Sequence, residues 1–290
     1  MDDLDFSRPG GPLKPSAPPA PQAPIYVPAI ARAFFESTGK EETVAAGTVF
    51  FAENERANRI LLKRDKMYLL LDGQVALSAR GKPIGEVKIG EIFGEMAPIS
   101  DSPRSATAVA RSGCRVIALD DRQFGAALQK KPEFALMMLG MLIQRLRATM
   151  ALATGVPSSN TREARIFDKA LLAGLQAGLG DQARVIYDRG KIIMVAGQTA
   201  ALMYVVVEGR VAISIRGVVV ERIGPGGVFG EMALVDHSPR SANAVAETDC
   251  ALLAINRNVF LNLVKTDPTF SIALLSATAA RLRDTAAGID

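Results

Sequence analysis

The chain has 290 residues but only one histidine, His237, no tryptophan and two cysteines, Cys114 and Cys250. One imidazole cannot build a multi-histidine metal centre, and it leaves a histidine-centred triad one place to go. Two cysteines make neither a zinc ribbon nor a disulfide framework, so the chain reads as a reduced, cytoplasmic protein. A large excess of one charge sign is also missing. Lys and Arg number 34 against 30 Asp and Glu, a net charge of +4. That admits an anionic ligand without singling out nucleic acid, which is not an expected partner. Long hydrophobic runs are missing as well. The longest, residues 134–143, is ten residues, about half of what a bilayer needs, and no membrane is expected. The N-terminus begins Met1-Asp2-Asp3-Leu4-Asp5, without the apolar segment of a secretory signal. No G-x-S-x-G elbow, metal-ligand cluster or paired-carboxylate site emerges, so neither an enzyme nor a cofactor or metal is expected. The glycine-rich residues 224–230 lack the Gly-Lys-Ser/Thr of a phosphate loop and read as a turn.

Proline is abundant at one end, and the rest of the chain is a repeat. Half of the sixteen prolines (Pro9, Pro12, Pro15, Pro18, Pro19, Pro21, Pro24 and Pro28) lie in the first 28 residues. Such a stretch buries no core and reads as an extended, disordered tail, with a docking segment for a partner as the alternative. Beyond it, a shift of 136 residues superimposes two long segments without a gap. Asp72-Gly73-Gln74-Val75-Ala76 falls on Glu208-Gly209-Arg210-Val211-Ala212, and Phe93-Gly94-Glu95-Met96-Ala97 on Phe229-Gly230-Glu231-Met232-Ala233. Ser102-Pro103-Arg104-Ser105-Ala106 falls on Ser238-Pro239-Arg240-Ser241-Ala242, and Arg145-Leu146-Arg147 on Arg281-Leu282-Arg283. Between residues 73–150 and 209–286, 30 of 78 positions are identical, and a period this long means two tandem copies of one domain rather than a solenoid. The expected organisation is a tail over 1–28, a first domain over 29–155 and a second over 156–290. Upstream, Gly47 precedes Gly73 by 26 residues whereas Gly190 precedes Gly209 by 19, so the first domain carries an insertion near 53–66.

Within a copy, Val211, Ile213 and Ile215 alternate with Arg210, Ala212, Ser214 and Arg216, the period of a half-buried strand. Further short β runs at 218–223, 244–245 and 251–255 lie between Gly, Pro and Asp turns, the pattern of a small antiparallel barrel or jelly roll. Each copy then ends in helix, at 122–129 and 133–151 around Pro132, and at 257–265 and 269–285 around Pro268. Another helix opens the second domain, with Asn160 and Glu163 at capping-box spacing. The expected fold class is α+β, mainly β: two tandem β-roll or jelly-roll domains, each followed by C-terminal helices.

The densest identity between the copies surrounds Phe-Gly-Glu-Met-Ala and Pro-Arg-Ser-Ala. Core packing rarely requires Gly-Glu followed nine residues after the Glu by Arg, at one spacing twice. Gly94 and Gly230 allow a tight turn, and the following Met96-Ala97 or Met232-Ala233 can start a short helix whose free N–H groups face an anion. Arg104 and Arg240 add a planar, permanently charged fork matched to phosphate oxygens, with the Ser105 and Ser241 hydroxyls alongside. Glu95 and Glu231 would repel a phosphate, so their sensible partner is a hydroxyl donor such as a ribose 2′-OH. A phosphate and a ribose hydroxyl held in one short cassette describe a nucleotide.

The two segments FGEMAPISDSPRSATA and FGEMALVDHSPRSANA resemble the phosphate-binding cassette of cyclic nucleotide-binding domains, as in kinase regulatory subunits and catabolite-activator-type regulators. The resemblance covers residues 29–150 and 160–286. It implies one cyclic nucleotide per domain, with Glu95 and Glu231 on the ribose 2′-OH and Arg104 and Arg240 on the cyclic phosphate. It also implies contacts from the backbone of Gly94, Glu95, Met96 and Ala97 and of Gly230, Glu231, Met232 and Ala233. By the same resemblance the last helices act as lids, where Arg145, Arg147, Arg281 and Arg283 either touch the base or cassette or remain solvated. Ser105 and Ser241 leave cAMP and cGMP both open, with cAMP preferred. The implied activity is that of a receptor that signals to an unidentified protein effector. The alternatives are a transcription regulator without a recognisable helix-turn-helix and a kinase-regulatory-subunit-like inhibitor.

Four features stay outside that reading. His237 is expected to be an exposed loop residue, with a ligand contact or pH sensing as the alternative. Cys114 and Cys250 read as small buried residues. Arg56, Arg59, Lys63, Arg64 and Lys66 in the insertion form either a solvated hairpin or an effector-docking patch. Residues 134–143, rich in Met137, Met138 and Met141, exceed what one amphipathic face needs. They either pack against the other domain or pair with a second copy in a homodimer.

Overall fold

A computed structural model describes residues 26–56, 65–100, 102–152, 167–199 and 201–287. Helix α1 (Pro28–Thr38) starts on a proline, which has no N–H to leave unpaired in a first turn. Eight strands follow: β1 (Lys40–Val44), β2 (Val49–Phe51), β3 (Lys66–Asp72), β4 (Val75–Ala79), β5 (Lys82–Val87), β6 (Ile92–Phe93), β7 (Thr107–Ala110) and β8 (Cys114–Asp120). Helix α2 (Met96–Ser100) lies between β6 and β7, and α3 (Asp121–Lys130) and α4 (Glu133–Leu152) follow β8. The second copy opens with α5 (Lys169–Leu179) and a 3-10 turn. Its strands are β9 (Arg184–Tyr187), β10 (Ile192–Met194), β11 (Leu202–Glu208), β12 (Val211–Ile215), β13 (Val218–Ile223), β14 (Val228–Phe229), β15 (Asn243–Ala246) and β16 (Cys250–Asn256). Helix α6 (Met232–Asp236) stands where α2 does, and α7 (Arg257–Thr266) and α8 (Pro268–Ala287) end the described chain.

Each copy folds into two four-stranded antiparallel sheets, ordered β1-β8-β3-β6 and β2-β7-β4-β5 in the first. The second has β9-β16-β11-β14 and β10-β15-β12-β13, the same order strand for strand. The fold is therefore α+β and mainly β, two jelly rolls each trailed by helices. The repeat correspondence also holds upstream of the ungapped region. Gly47 N–H donates to Ala110 O at 2.8 Å, and Gly190 N–H donates to the matching Ala246 O at 2.7 Å.

The period of two explains why β3 and β11 read as unbroken apolar runs. On β3, Tyr68 and Leu70 point into the roll, whereas Met67 and Leu69 point into the layer of helices. On β11, Tyr204 and Val206 face the roll and Met203 and Val205 the helices. Both faces are covered, so neither tolerates polar alternation. Against that outer face Phe34 stacks on Phe134 at 3.7 Å, with Phe35 and Phe124 edge-on to Phe134. Phe260 and Phe270 meet edge-on in the second copy, where Phe167 also packs against Phe270.

The helical layer is one continuous core across both domains. Helices α4 and α8 pack along each other, α4 also touches α6 and α7, and α8 touches α2 and α3. Of the two covers open to residues 134–143, the fold uses the other domain. Phe134, Met137, Met138, Leu139, Leu142 and Ile143 are buried, and all but Ile143 share a cluster with Phe270, Leu274, Leu275 and Ala279 of α8. Among the described residues α4 is the one helix long and apolar enough to cross a membrane, and half of that window is buried inside the fold. Cys114 and Cys250 are buried, as their β positions suggested.

Two expectations meet the limits of the described chain. Asn160 and Glu163 lie outside the described residues, and the described helix starts later, at Lys169. Asp168 caps it by accepting from Leu171 N–H at 2.8 Å. In the insertion, Arg59, Lys63 and Arg64 also lie outside them. Lys66 forms an ion pair with Glu42 at 2.6 Å and Asp65 one with Arg104 at 3.2 Å.

Candidate functional site

The site in each copy starts from a glycine in a conformation other residues rarely adopt. Gly94 has φ +74° and Gly230 φ +81°, the left-handed region that a Cβ disfavours. Space matters as much as conformation. A Cβ on Gly94 would lie 2.7 Å from the Phe51 ring, and one on Gly230 would lie 2.5 Å from Nη1 of Arg240. The missing side chain is what lets the arginine pass beneath the turn.

Both cassette arginines are buried and bound to backbone carbonyls. Arg104 Nη1 donates to Gly94 O at 2.6 Å and Nη2 to Lys66 O at 2.8 Å. Arg240 repeats this with Gly230 O at 2.8 Å and Leu202 O at 2.5 Å. Burial pulls both guanidinium groups below the ordinary arginine value; for Arg104 the nearby Asp65 carboxylate is the main counterweight. Arg104 also lies 4.3 Å over the Phe51 ring. The second copy has Ala201 in place of Asp65 and Met194 in place of Phe51, so its arginine lacks both supports. The carbonyls take one donor from each Nη, and a guanidinium has five.

The cassette glutamates are buried too, each beneath an arginine of the last helix of its own domain. Glu95 accepts from Arg145 Nη1 at 3.2 Å, and Glu231 from Arg281 Nη1 at 2.9 Å. Two of the four candidate lid arginines thus reach the cassette carboxylate, across 50 residues of sequence. Arg147 instead crosses to the other domain. Its Nη2 donates to Asp236 Oδ1 at 3.1 Å and its Nε to Oδ2, and Asp236 Oδ1 also accepts from Ser238 N–H at 3.0 Å. Arg283 is exposed and pairs with its neighbour Asp284. The remaining cassette groups are more peripheral. Ser105 is exposed, and Ser241 Oγ makes a weak 3.8 Å contact with Met232 Sδ. Helices α2 and α6 have five residues each, too short for a sizeable macrodipole. His237 is exposed, left-handed at φ +56°, and its Nε2 lies 2.8 Å from Arg257 Nη2.

Several residues at the site escape sequence reasoning. Tyr26 donates its phenol to Gly90 O at 2.5 Å, and burial, Glu91 and Glu95 together push it up to about 12. Glu221 accepts from Arg281 Nε at 3.3 and 3.1 Å. Asp236 and Glu221 do leave a trace in the sequence. They are positions where the copies part, with Ser100 and Gly85 as the counterparts.

Comparison with known proteins follows the same outline. The family model for the cyclic nucleotide-binding domain matches twice, at residues 41–131 and 184–267. A cyclic AMP receptor protein of Thermus thermophilus is 36% identical over 106 residues, covering 35% of this chain and 49% of that protein. A cAMP-dependent protein kinase type II regulatory subunit of Drosophila melanogaster is 26% identical over 229 residues, 76% of this chain and 56% of that one. The chain thus spans about half the length of these curated relatives. Among solved structures, the Thermus thermophilus catabolite activator protein has a TM-score of 0.33 and 34% identity, over 38% of this chain and 58% of that one. The regulatory domain of Toxoplasma gondii PKA with cAMP has a TM-score of 0.31 and 21% identity, over 82% and 92%. With the domain model matched once in each jelly roll, the chain belongs to the cyclic nucleotide-binding domain family.

Proposed function

We propose that this chain is a cytoplasmic receptor, not an enzyme, that binds one cyclic nucleotide in each domain, with cAMP preferred over cGMP. One observation carries the reading. In both copies a buried arginine beneath a left-handed glycine stands next to a buried glutamate held by a helix arginine. The arginine charge suits a phosphate diester, with the spare guanidinium donors, the cassette serine and the turn N–H groups toward its oxygens. Glu95 or Glu231 accepts from the ribose 2′-OH, a charge-assisted hydrogen bond that a carboxylate can make alongside its arginine. The relatives named as a cyclic AMP receptor protein and a kinase regulatory subunit support both the ligand class and a regulatory role.

The output follows from where the glutamates are held. A ligand that draws on Glu95 or Glu231 draws on the contact that docks α4 or α8, and these helices form the interface between the domains. The nucleotide thereby changes a packing arrangement that a protein effector reads, which requires the effector-binding state to have a different nucleotide affinity. Calorimetry with cAMP and cGMP tests the assignment. The native chain should show two sites, and Arg104→Ala and Arg240→Ala one each. A doubly substituted chain that binds as tightly as the native one would sink it.

A further inference from the structure

The two sites differ in how firmly the lid is attached. Arg145 has one ionic partner among the described residues, Glu95, and its side chain is 51% exposed. Arg281 is 15% exposed and holds three partners at once. Nη1 donates to Glu231, Nε to both oxygens of Glu221, and Nη2 to Val228 O. Burial acts to lower the Arg281 value, but the Glu221 and Glu231 carboxylates more than offset it and raise it.

The extra partner traces to one position. Glu221 pairs with Ile213 across β13 and β12, and Gly85 pairs with Leu77 across β5 and β4, the same place in the same sheet. The first copy therefore has backbone where the second has a carboxylate aimed at the lid. We infer that Glu221 is a positioning residue of the second site, anchoring Arg281 and helix α8 to the β-roll whether or not a ligand engages Glu231. The second site keeps its lid in both states, and the first site, where Glu95 is the one ionic partner of Arg145 among the described residues, is the one whose lid answers the ligand.

This inference rests on the ligand reading of the two glutamates, and its test separates the two. Hydrogen exchange would be followed on the intact chain, native and Glu221→Gln, with and without saturating cAMP, at residues 142–150 of α4 and 278–286 of α8. Since a hydrogen bond to a charged group is worth about one order of magnitude in an opening equilibrium, cAMP should change exchange in α4 of the native chain roughly tenfold and leave α8 within about twofold. In Glu221→Gln, α8 should respond to cAMP as α4 does. Arg281→Lys, which keeps the charge but cannot span three partners, should give the same result. A native α8 as responsive as α4, or an α8 still unresponsive in both variants, overturns the inference. If calorimetry finds no nucleotide at either site, the ligand reading fails. The ligand-free comparison still decides the anchoring, because α8 must exchange faster in Glu221→Gln than in the native chain while α4 does not.

Discussion

The Arg147–Asp236 pair ties the last helix of the first domain to the cassette of the second, and its strength can be worked from its surroundings. The two side chains are 24% and 15% exposed. Exposed pairs contribute roughly 0.2–1 kcal/mol, and breaking a fully buried one costs about 3–5 kcal/mol. A bidentate pair between these limits should therefore couple by about 2 kcal/mol. The clean perturbation is Arg147→Met, which keeps the apolar stem, combined with Asp236→Asn, which keeps an acceptor for Ser238 N–H. Denaturant unfolding of the native chain, both single variants and the double variant closes a double-mutant cycle. Arg283 supplies an internal control. It occupies the matching helix position, but its partner Asp284 is 66% exposed, and that pair should couple by less than about 0.5 kcal/mol. Costs for Arg147→Met and Asp236→Asn that add to within about 0.5 kcal/mol would refute the interdomain assignment, because independent sites behave that way.

Two further outcomes are expected. Gly94→Ala should destabilise the chain by about 2 kcal/mol through the left-handed backbone and the contact with Phe51, and calorimetry should lose the first site while keeping the second. Tyr26, Tyr68 and Tyr204 are each pushed up to about 12 from an ordinary 10.0, chiefly by burial. Their raised values favour the protonated phenol in the folded state, so this stabilisation is complete below pH 10 and lost as pH rises toward 12. The denaturant midpoint should fall over that interval, and a flat profile there would contradict the burial of these phenols.

The cassette was legible before any fold, because Gly-Glu and Arg at a fixed spacing recur in two copies. The strand and helix bounds were legible too, where the period of two in Val211–Ile215 and the prolines at 132 and 268 mark local geometry. The direction of the cassette arginines was not. Sequence reasoning offers Arg104 to a phosphate, and nothing along the chain shows that its two Nη groups also bind Gly94 O and Lys66 O, contacts for which Gly94 leaves the room. Nor were the lid contacts. Four arginines on two helices were equivalent candidates, and the helix orientation gave Glu95 to Arg145, Glu231 to Arg281 and Asp236 to Arg147, and left Arg283 in solvent.

The sequence alone therefore determined what depends on neighbours along the chain: two copies, their strands, and the residue types of a nucleotide cassette. The tertiary structure decided what depends on residues brought together from afar. It sent the apolar run of α4 against α8, and it made unequal sites of two cassettes that share their Gly, Glu, Arg and Ser. The physical reason is that periodicity and turn chemistry act over a few residues. By contrast, the partner of a buried charge is set by which helix lies across which sheet.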